Sequence, residues 1–176
     1  MVKEILFTLA MVSNPVVIDV TSFSKTELHE FKSAEVSCLA DNVYHEARSQ
    51  GIAGQIAVIN VTINRVNDSR YPNTICDVVK EGPTRASWKG TGEMLPIRNR
   101  CQFSWWCDGK SDAVTNQDVY RKIYALTYDI VYDNMKLIDI TEGATHYHAD
   151  YVQPAWAKTK TKTIEIEDHI FYRWEN

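Results

Sequence analysis

The chain reads as an α+β protein in which helices come first and a small antiparallel sheet comes last. Three observations predict that class. From residue 33 to 67 apolar side chains recur at three- and four-residue spacing. From 81 to 109 that periodicity vanishes while Gly, Pro and Trp accumulate, and after residue 144 short runs alternate between apolar and polar. With 176 residues, 44% of them hydrophobic, there is material for one core.

Residues 33–48 place Val36, Leu39, Ala40, Val43 and Ala47 on one stripe, which predicts a first helix with a start as early as Thr26. Gly51 breaks the pattern. Ile52, Ile56, Ile59 and Ile63 then repeat it, with Ala53, Ala57 and Val66 beside them, so a second helix should end near Asn67 and its isoleucine stripe should be the core. Tyr71-Pro72-Asn73 predicts a turn, with Asn73 or Thr74 capping a short third helix through Val79. Residues 81–109 hold four of the seven glycines, two prolines and three of the five tryptophans, and they are expected to form one long functional loop. Thr115, with Asp118 in a capping-box position, begins a fourth helix through Val119, Ile123, Leu126, Ile130 and Val131 to about Asn134. Residues 144–149, 161–166 and 169–174 read as strands, the last two joined by a tight turn at Glu167-Asp168.

Charge and hydropathy exclude some partners. Nineteen Lys+Arg against 23 Asp+Glu, a net charge of −4, leave no basic footprint for nucleic acid. The longest apolar run, residues 5–12, is interrupted by Thr8 and is far too short to span a bilayer. It follows Lys3 like the apolar part of a signal peptide, although no pair of small residues marks a cleavage site. Residues 1–25 are therefore expected to be a leader or a poorly ordered segment, and residues 26–176 a single domain. The four cysteines, Cys38, Cys76, Cys101 and Cys107, contain no C-x2-C pair for zinc. A disulfide between Cys101 and Cys107 would close a short loop and leave Cys38 with Cys76. Two bridges would imply an oxidising compartment, and four free thiols are the alternative.

On a helical wheel Glu46 falls about 20° from Leu39, at the edge of the apolar stripe, while His45 and Asp41 project toward solvent. A carboxyl group against apolar neighbours has its ionised form disfavoured, which suits a general acid; the plain alternative is a surface Glu at a helix end. His45-Glu46 is not a zinc-protease helix, because Ser49 stands where the second histidine would be. His146 and His148 point the same way in a strand, compatible with a metal, a substrate or ordinary half-buried histidines. A cysteine hydrolase from Cys38 or Cys76 with His146 is conceivable only if those thiols are free. Gln102-Phe103-Ser104-Trp105-Trp106 gathers amide, hydroxyl and indole groups of the kind that bind carbohydrate, or that make a minicore beneath a loop.

These pieces occur together in one family. Cys38-Leu39-Ala40, Val43-Tyr44-His45-Glu46-Ala47-Arg48, Gly54-Gln55-Ile56-Ala57-Val58, Asn64-Arg65-Val66, Tyr71-Pro72-Asn73-Thr74-Ile75-Cys76, Cys101-Gln102-Phe103-Ser104, Cys107-Asp108-Gly109 and Ala144-Thr145-His146-Tyr147-His148 follow in the same order. Over residues 33–174 the chain resembles the spore-cortex-lytic (SleB-type) cell wall hydrolases. The resemblance implies a lysozyme-like, lytic-transglycosylase-like lobe of helices with a small sheet. It also implies cleavage of the peptidoglycan glycan strand between N-acetylmuramic acid and N-acetylglucosamine, without metal or other cofactor. The family's catalytic glutamate falls on Glu46. A single carboxyl group suffices where the muramic 6-hydroxyl attacks to leave a 1,6-anhydro end. The second acids to consider, Asp108 and Asp150, are then not needed. Gln55, Gln102, Ser104, His146 and Tyr147 are expected to line the cleft, with Gln102 and Ser104 holding N-acetyl groups or the glutamate. The expected setting is periplasmic or extracellular, for a monomeric phage endolysin or wall-remodelling enzyme. Muramidase hydrolysis by water, a wall-binding module without turnover, and a stem-peptide amidase are the competing readings.

Overall fold

The computed structural model describes residues 23–175, so residues 1–22 of the expected leader lie outside the described residues. The first helix, α1 (Lys25–Ala47), starts on a capping box in which Ser24 Oγ accepts from the Glu27 N–H and Glu27 accepts from the Ser24 N–H. It is longer than its apolar stripe because it is the axis of the helical lobe, packed by α2 (Ile52–Asn67), α3 (Ile75–Val79) and α4 (Gln117–Val131). Val36, Leu39, Ala40, Val43, Tyr44 and Ala47 are buried, and so are the polar Glu35 and Asn42. Both polar groups are matched, as burial requires. Glu35 accepts the Ile75 and Cys76 N–H groups and so caps α3 alongside Thr74, while Asn42 donates to Thr62.

On α2 the isoleucine stripe is not the centre of the core. Ile52 is 61% exposed and Ile56 and Ile63 are only half-buried, whereas Ala57, Val58, Ile59, Val61 and Val66 are buried. The helix is sandwiched: Val58, Ile59 and Val66 face the helical core, and Ala57 and Val61 face Ala144 and Phe171 of the sheet layer. A helix buried on two sides has two narrow stripes, and the small residues sit where elements come closest. Gly51 offers no side-chain cap, so the carboxylate of Glu167 supplies one, accepting the Gly51 N–H at 2.7 Å and the Gly54 N–H at 3.2 Å. A Cβ at Gly51 would come within 2.8 Å of that carboxylate.

The region between α3 and α4 is more regular than expected. It contains a small hairpin of β1 (Thr84–Ala86) and β2 (Met94–Pro96) and a 3₁₀ turn, Ser104–Cys107. Asn116, not Thr115, caps α4, accepting from the Val119 N–H, while the Thr115 hydroxyl shares a hydrogen bond with the Tyr44 hydroxyl at 3.2 Å and that hydroxyl accepts the Thr115 and Asn116 N–H groups. That helix ends at Val131, short of Asn134, which takes a left-handed backbone at φ 55°.

The second layer is an antiparallel sheet of β3 (His146–Ala149), β4 (Thr161–Ile166) and β5 (His169–Arg173) in the order β3-β5-β4. Its register sets Tyr147 opposite Phe171 and Ala149 opposite His169 on one face, and His146 opposite Tyr172 on the other. Disulfides join Cys38 with Cys76, tying α1 to α3, and Cys101 with Cys107, closing the 3₁₀ loop. Among the described residues no cysteine is free and no helix is long and apolar enough to cross a membrane.

Candidate active site

The last turn of α1, the loop 102–115 and β3 enclose a cleft of about 650 Å³. Glu46 is half-buried at its floor. The Tyr147 hydroxyl, coming from the sheet, donates to Glu46 Oε2 at 2.8 Å, so the two layers of the fold meet at this carboxyl group. Burial raises the Glu46 pKa above the usual carboxylate range, against the smaller opposite pulls of the Tyr147 hydrogen bond and the Arg65 charge. Its position at the carbonyl end of α1 disfavours a negative charge in the same sense. Tyr147 is held well above its ordinary pKa by its own burial and then by Glu46, so it stays a phenol and a donor.

Arg65 lies beneath this pair, 4% exposed. Its Nε donates to the Thr145 carbonyl at 2.8 Å, at the entry to β3, and its guanidinium sits 4.7 Å from the Phe103 ring centroid and 5.5 Å from that of Tyr71. One cation thus ties α2, the sheet and the 3₁₀ loop together while favouring the ionised form of Glu46 against its burial. Arg65 Nη1 and His169 Nδ1 are buried without a hydrogen-bond partner among the described residues. His169 sits edge to face with Tyr147, ring centroids 4.8 Å apart, and both residues line the cleft.

The expected site residues divide. Glu46, Gln102, Ser104 and Tyr147 line the cleft together, and Gln102 and Ser104 are exposed to it. Gln55 does not line it; its amide donates to the Gln50 carbonyl at the start of α2. His146 does not line it either, because it sits on the opposite face of β3 from Tyr147, among Tyr71, Trp156 and Trp174. Burial there, followed by the charges of Arg65, Lys160 and Arg70, lowers its pKa to about 3. The half-buried His148 borders the cleft and shares a hydrogen bond with the Tyr172 hydroxyl at 3.0 Å. Of the two further acids, Asp108 is at the cleft but occupied by Lys110, accepting its N–H at 2.7 Å and pairing with its ammonium at 3.5 Å. Asp150 is exposed and not part of the lining.

His45 and Asp41 correct the wheel: both are half-buried. His45 stacks on Trp105 with ring centroids 4.4 Å apart, and Asp41 accepts the Tyr120 hydroxyl at 2.8 Å. The wheel places solvent wherever the stripe ends, but here loop and α4 cover that side. Trp105, one of the indoles that the sequence set apart, also lines the cleft, and so do Arg65, Asp112 and His169, which composition and periodicity did not single out. The usable signal was an Arg at a helical spacing that puts it among buried apolar positions. No group of three or more His, Cys, Asp or Glu able to hold a metal occurs among the described residues.

A family model described as cell wall hydrolase matches residues 49–172, and the chain belongs to that family. Glu46 lies just before the matched residues. Over 142 residues, 80% of this chain, the sequence is 37% identical to the spore cortex-lytic enzyme of Bacillus subtilis strain 168 and 35% identical to that of Bacillus cereus. The chain spans 38% and 45% of those two proteins, less than half of each. The structure is similar to the catalytic domain of the germination-specific lytic transglycosylase SleB from Bacillus anthracis, at a TM-score of 0.54 and 25% identity over 89% of this chain and 100% of that one. It also superposes on the catalytic domain of Bacillus cereus SleB at a TM-score of 0.53 and 23% identity, over 80% of this chain and 91% of that one, a likeness of fold.

Proposed function

We propose that this chain degrades peptidoglycan as a lytic transglycosylase, with Glu46 as its single acid and base. The observation that carries the reading is the Glu46–Tyr147 pair at the floor of the cleft, a carboxyl group whose pKa burial raises and which a phenol orients. In the first step the Glu46 carboxyl gives its proton to the glycosidic oxygen as the bond from muramic C1 to that oxygen breaks. In the second, the 6-hydroxyl of the same muramic residue bonds to C1 and passes its proton to the Glu46 carboxylate, closing a 1,6-anhydro ring and restoring the acid. No second carboxylate has to hold a water, unlike the usual paired glycosidase. The engagement of Asp108 by Lys110 agrees with that economy. Gln102 and Ser104, exposed in the cleft wall, are placed for the polar groups of the sugars.

Membership of the cell wall hydrolase family supports the substrate class. Two disulfides suit action outside a reducing cytosol, in the periplasm or beyond the cell. The test is mass spectrometry of fragments released from purified peptidoglycan by the wild type and by Glu46→Gln. Anhydro-muropeptides from the wild type alone are the expected result. Reducing ends lost in the variant would assign the attack to water, with Asp112 as the cleft carboxylate to examine, and no release by either protein would leave a wall-binding module.

A further inference from the structure

A second cavity, of about 330 Å³, opens beside the catalytic cleft. The two share Trp105 and Asp112 in their walls, and Ser37 and Asp41 of the one and His45 of the other follow at four-residue steps along α1, so the second cavity continues the first along that helix with Trp105 at the junction. That indole is held firmly. Its Nε1 donates to Asn42 Oδ1 at 2.9 Å, its face is stacked on His45, and Trp106 meets it edge to face with ring centroids 5.9 Å apart. Beyond the junction the walls are Ser37 and Asp41 of α1, Lys80 at the end of α3, and Trp106, whose ring lies 5.3 Å from the Lys80 ammonium.

Two indoles with a carboxylate and an ammonium beside them are the chemistry of a sugar site: ring faces cover pyranose C–H surfaces, and the charged groups take hydroxyl and acetamido partners. A linear glycan lying across Glu46 is longer than the first cavity and must leave it, and the concave path out runs over Trp105. We infer that the second cavity is a distal saccharide subsite, which holds a sugar of the same strand away from the scissile bond and gives the protein preference for long glycans. The inference rests on the glycan reading of the catalytic cleft.

The test is calorimetric titration of the full chain carrying Glu46→Gln with peptide-free glycan oligomers from peptidoglycan, in steps from disaccharide to octasaccharide. Affinity should rise with length, and the last gain should fall by roughly tenfold in Trp106→Ala, the scale of one aromatic contact. Ser37→Tyr, which fills the cavity from α1 without touching the disulfide loop, should remove the same gain. Variants that keep the parent's length dependence would overturn the subsite, as would an equal weakening at every length. A gain seen only with peptide-bearing strands would also overturn it, by making the occupant a stem peptide. Binding of short oligomers with no gain from length sinks the subsite alone, whereas failure to bind any oligomer sinks the glycan reading as well.

Discussion

On the floor of the cleft Glu46 and Arg65 sit on helices among the buried residues Val43, Tyr44, Ala47 and Val66, whereas on its wall Gln102 and Ser104 stand exposed on a loop anchored by a disulfide, by the buried Phe103 ring and by the Trp105 indole on Asn42 and His45. The floor withholds water: desolvation raises the pKa of the Glu46 carboxyl and holds that of the Tyr147 phenol well above its ordinary value. In the proposed function the wall meets a polymer, for which its polar groups need exposure and cannot be fixed by packing alone. A covalent closure does there what burial does on the floor. The proposed chemistry and the proposed recognition thus fall in parts of the molecule with different sources of rigidity, and substitutions should separate them.

Glu46→Gln is the sharpest way to break the contrast. It should lower turnover by about 10²- to 10⁴-fold, measured as anhydro-end release. Stability should move the other way. A carboxyl whose folded pKa is raised binds a proton more tightly when folded, so the wild type loses stability as pH rises from the unfolded value through the folded one. Glutamine never ionises, so denaturant melts should show a gain over wild type at pH 7 and a smaller gain at pH 4.

Ile59→Ala tests the floor without touching the chemistry. Ile59 is fully buried between α2 and the helical core, and its truncation should cost roughly 2–5 kcal/mol in denaturant melts. A cost under about 1 kcal/mol would mean that the floor relaxes around the cavity.

The disulfides come next in size. Serine at both Cys38 and Cys76 opens a bridge spanning 38 residues and should cost about 4 kcal/mol by chain entropy. Serine at both Cys101 and Cys107 opens one spanning 6 residues and should cost only about 2 kcal/mol. The smaller loss should carry the larger rise in KM, because that bridge closes on Gln102 and Ser104. Equal kinetic effects would erase the distinction between floor and wall.

The smallest effect on activity concerns the far face of β3. His146 is neutral in the fold, with its pKa lowered to about 3, so the unfolded chain takes up its proton first and stability is lost as pH falls from about 6.5 toward 3. His146→Gln should flatten that part of the melting-temperature profile. Activity should change less than for any substitution of Tyr147, one residue along the strand.

Much of the fold could be read from spacing. The helices α1 to α3 and the closing strands lie where periodicity put them, because each has an apolar stripe that must be buried and a cap or breaker at its end. The β1–β2 hairpin was not legible: its strands are three residues each and carry no alternation. Within the site, the α1 wheel brought Glu46 to the apolar edge but sent His45 and Asp41 to solvent, because a wheel knows one helix and not the loop and α4 that cover it. Gln55 and His146 belong to motifs of the family yet stand away from the cleft. Adjacency in a motif does not say which face of a strand or helix turns toward the cavity.

By itself the amino-acid sequence determined the class, the order of elements and the residue at the edge of the first helix's stripe, since these follow from local periodicity and capping. Only the tertiary structure decided that Tyr147 meets Glu46, that Arg65 lies beneath them and that Glu167 caps a helix more than 100 residues away. Such pairings depend on the strand register and on how α2 is wedged between two layers. They are set by the packing of whole elements, a long-range quantity that no local window contains.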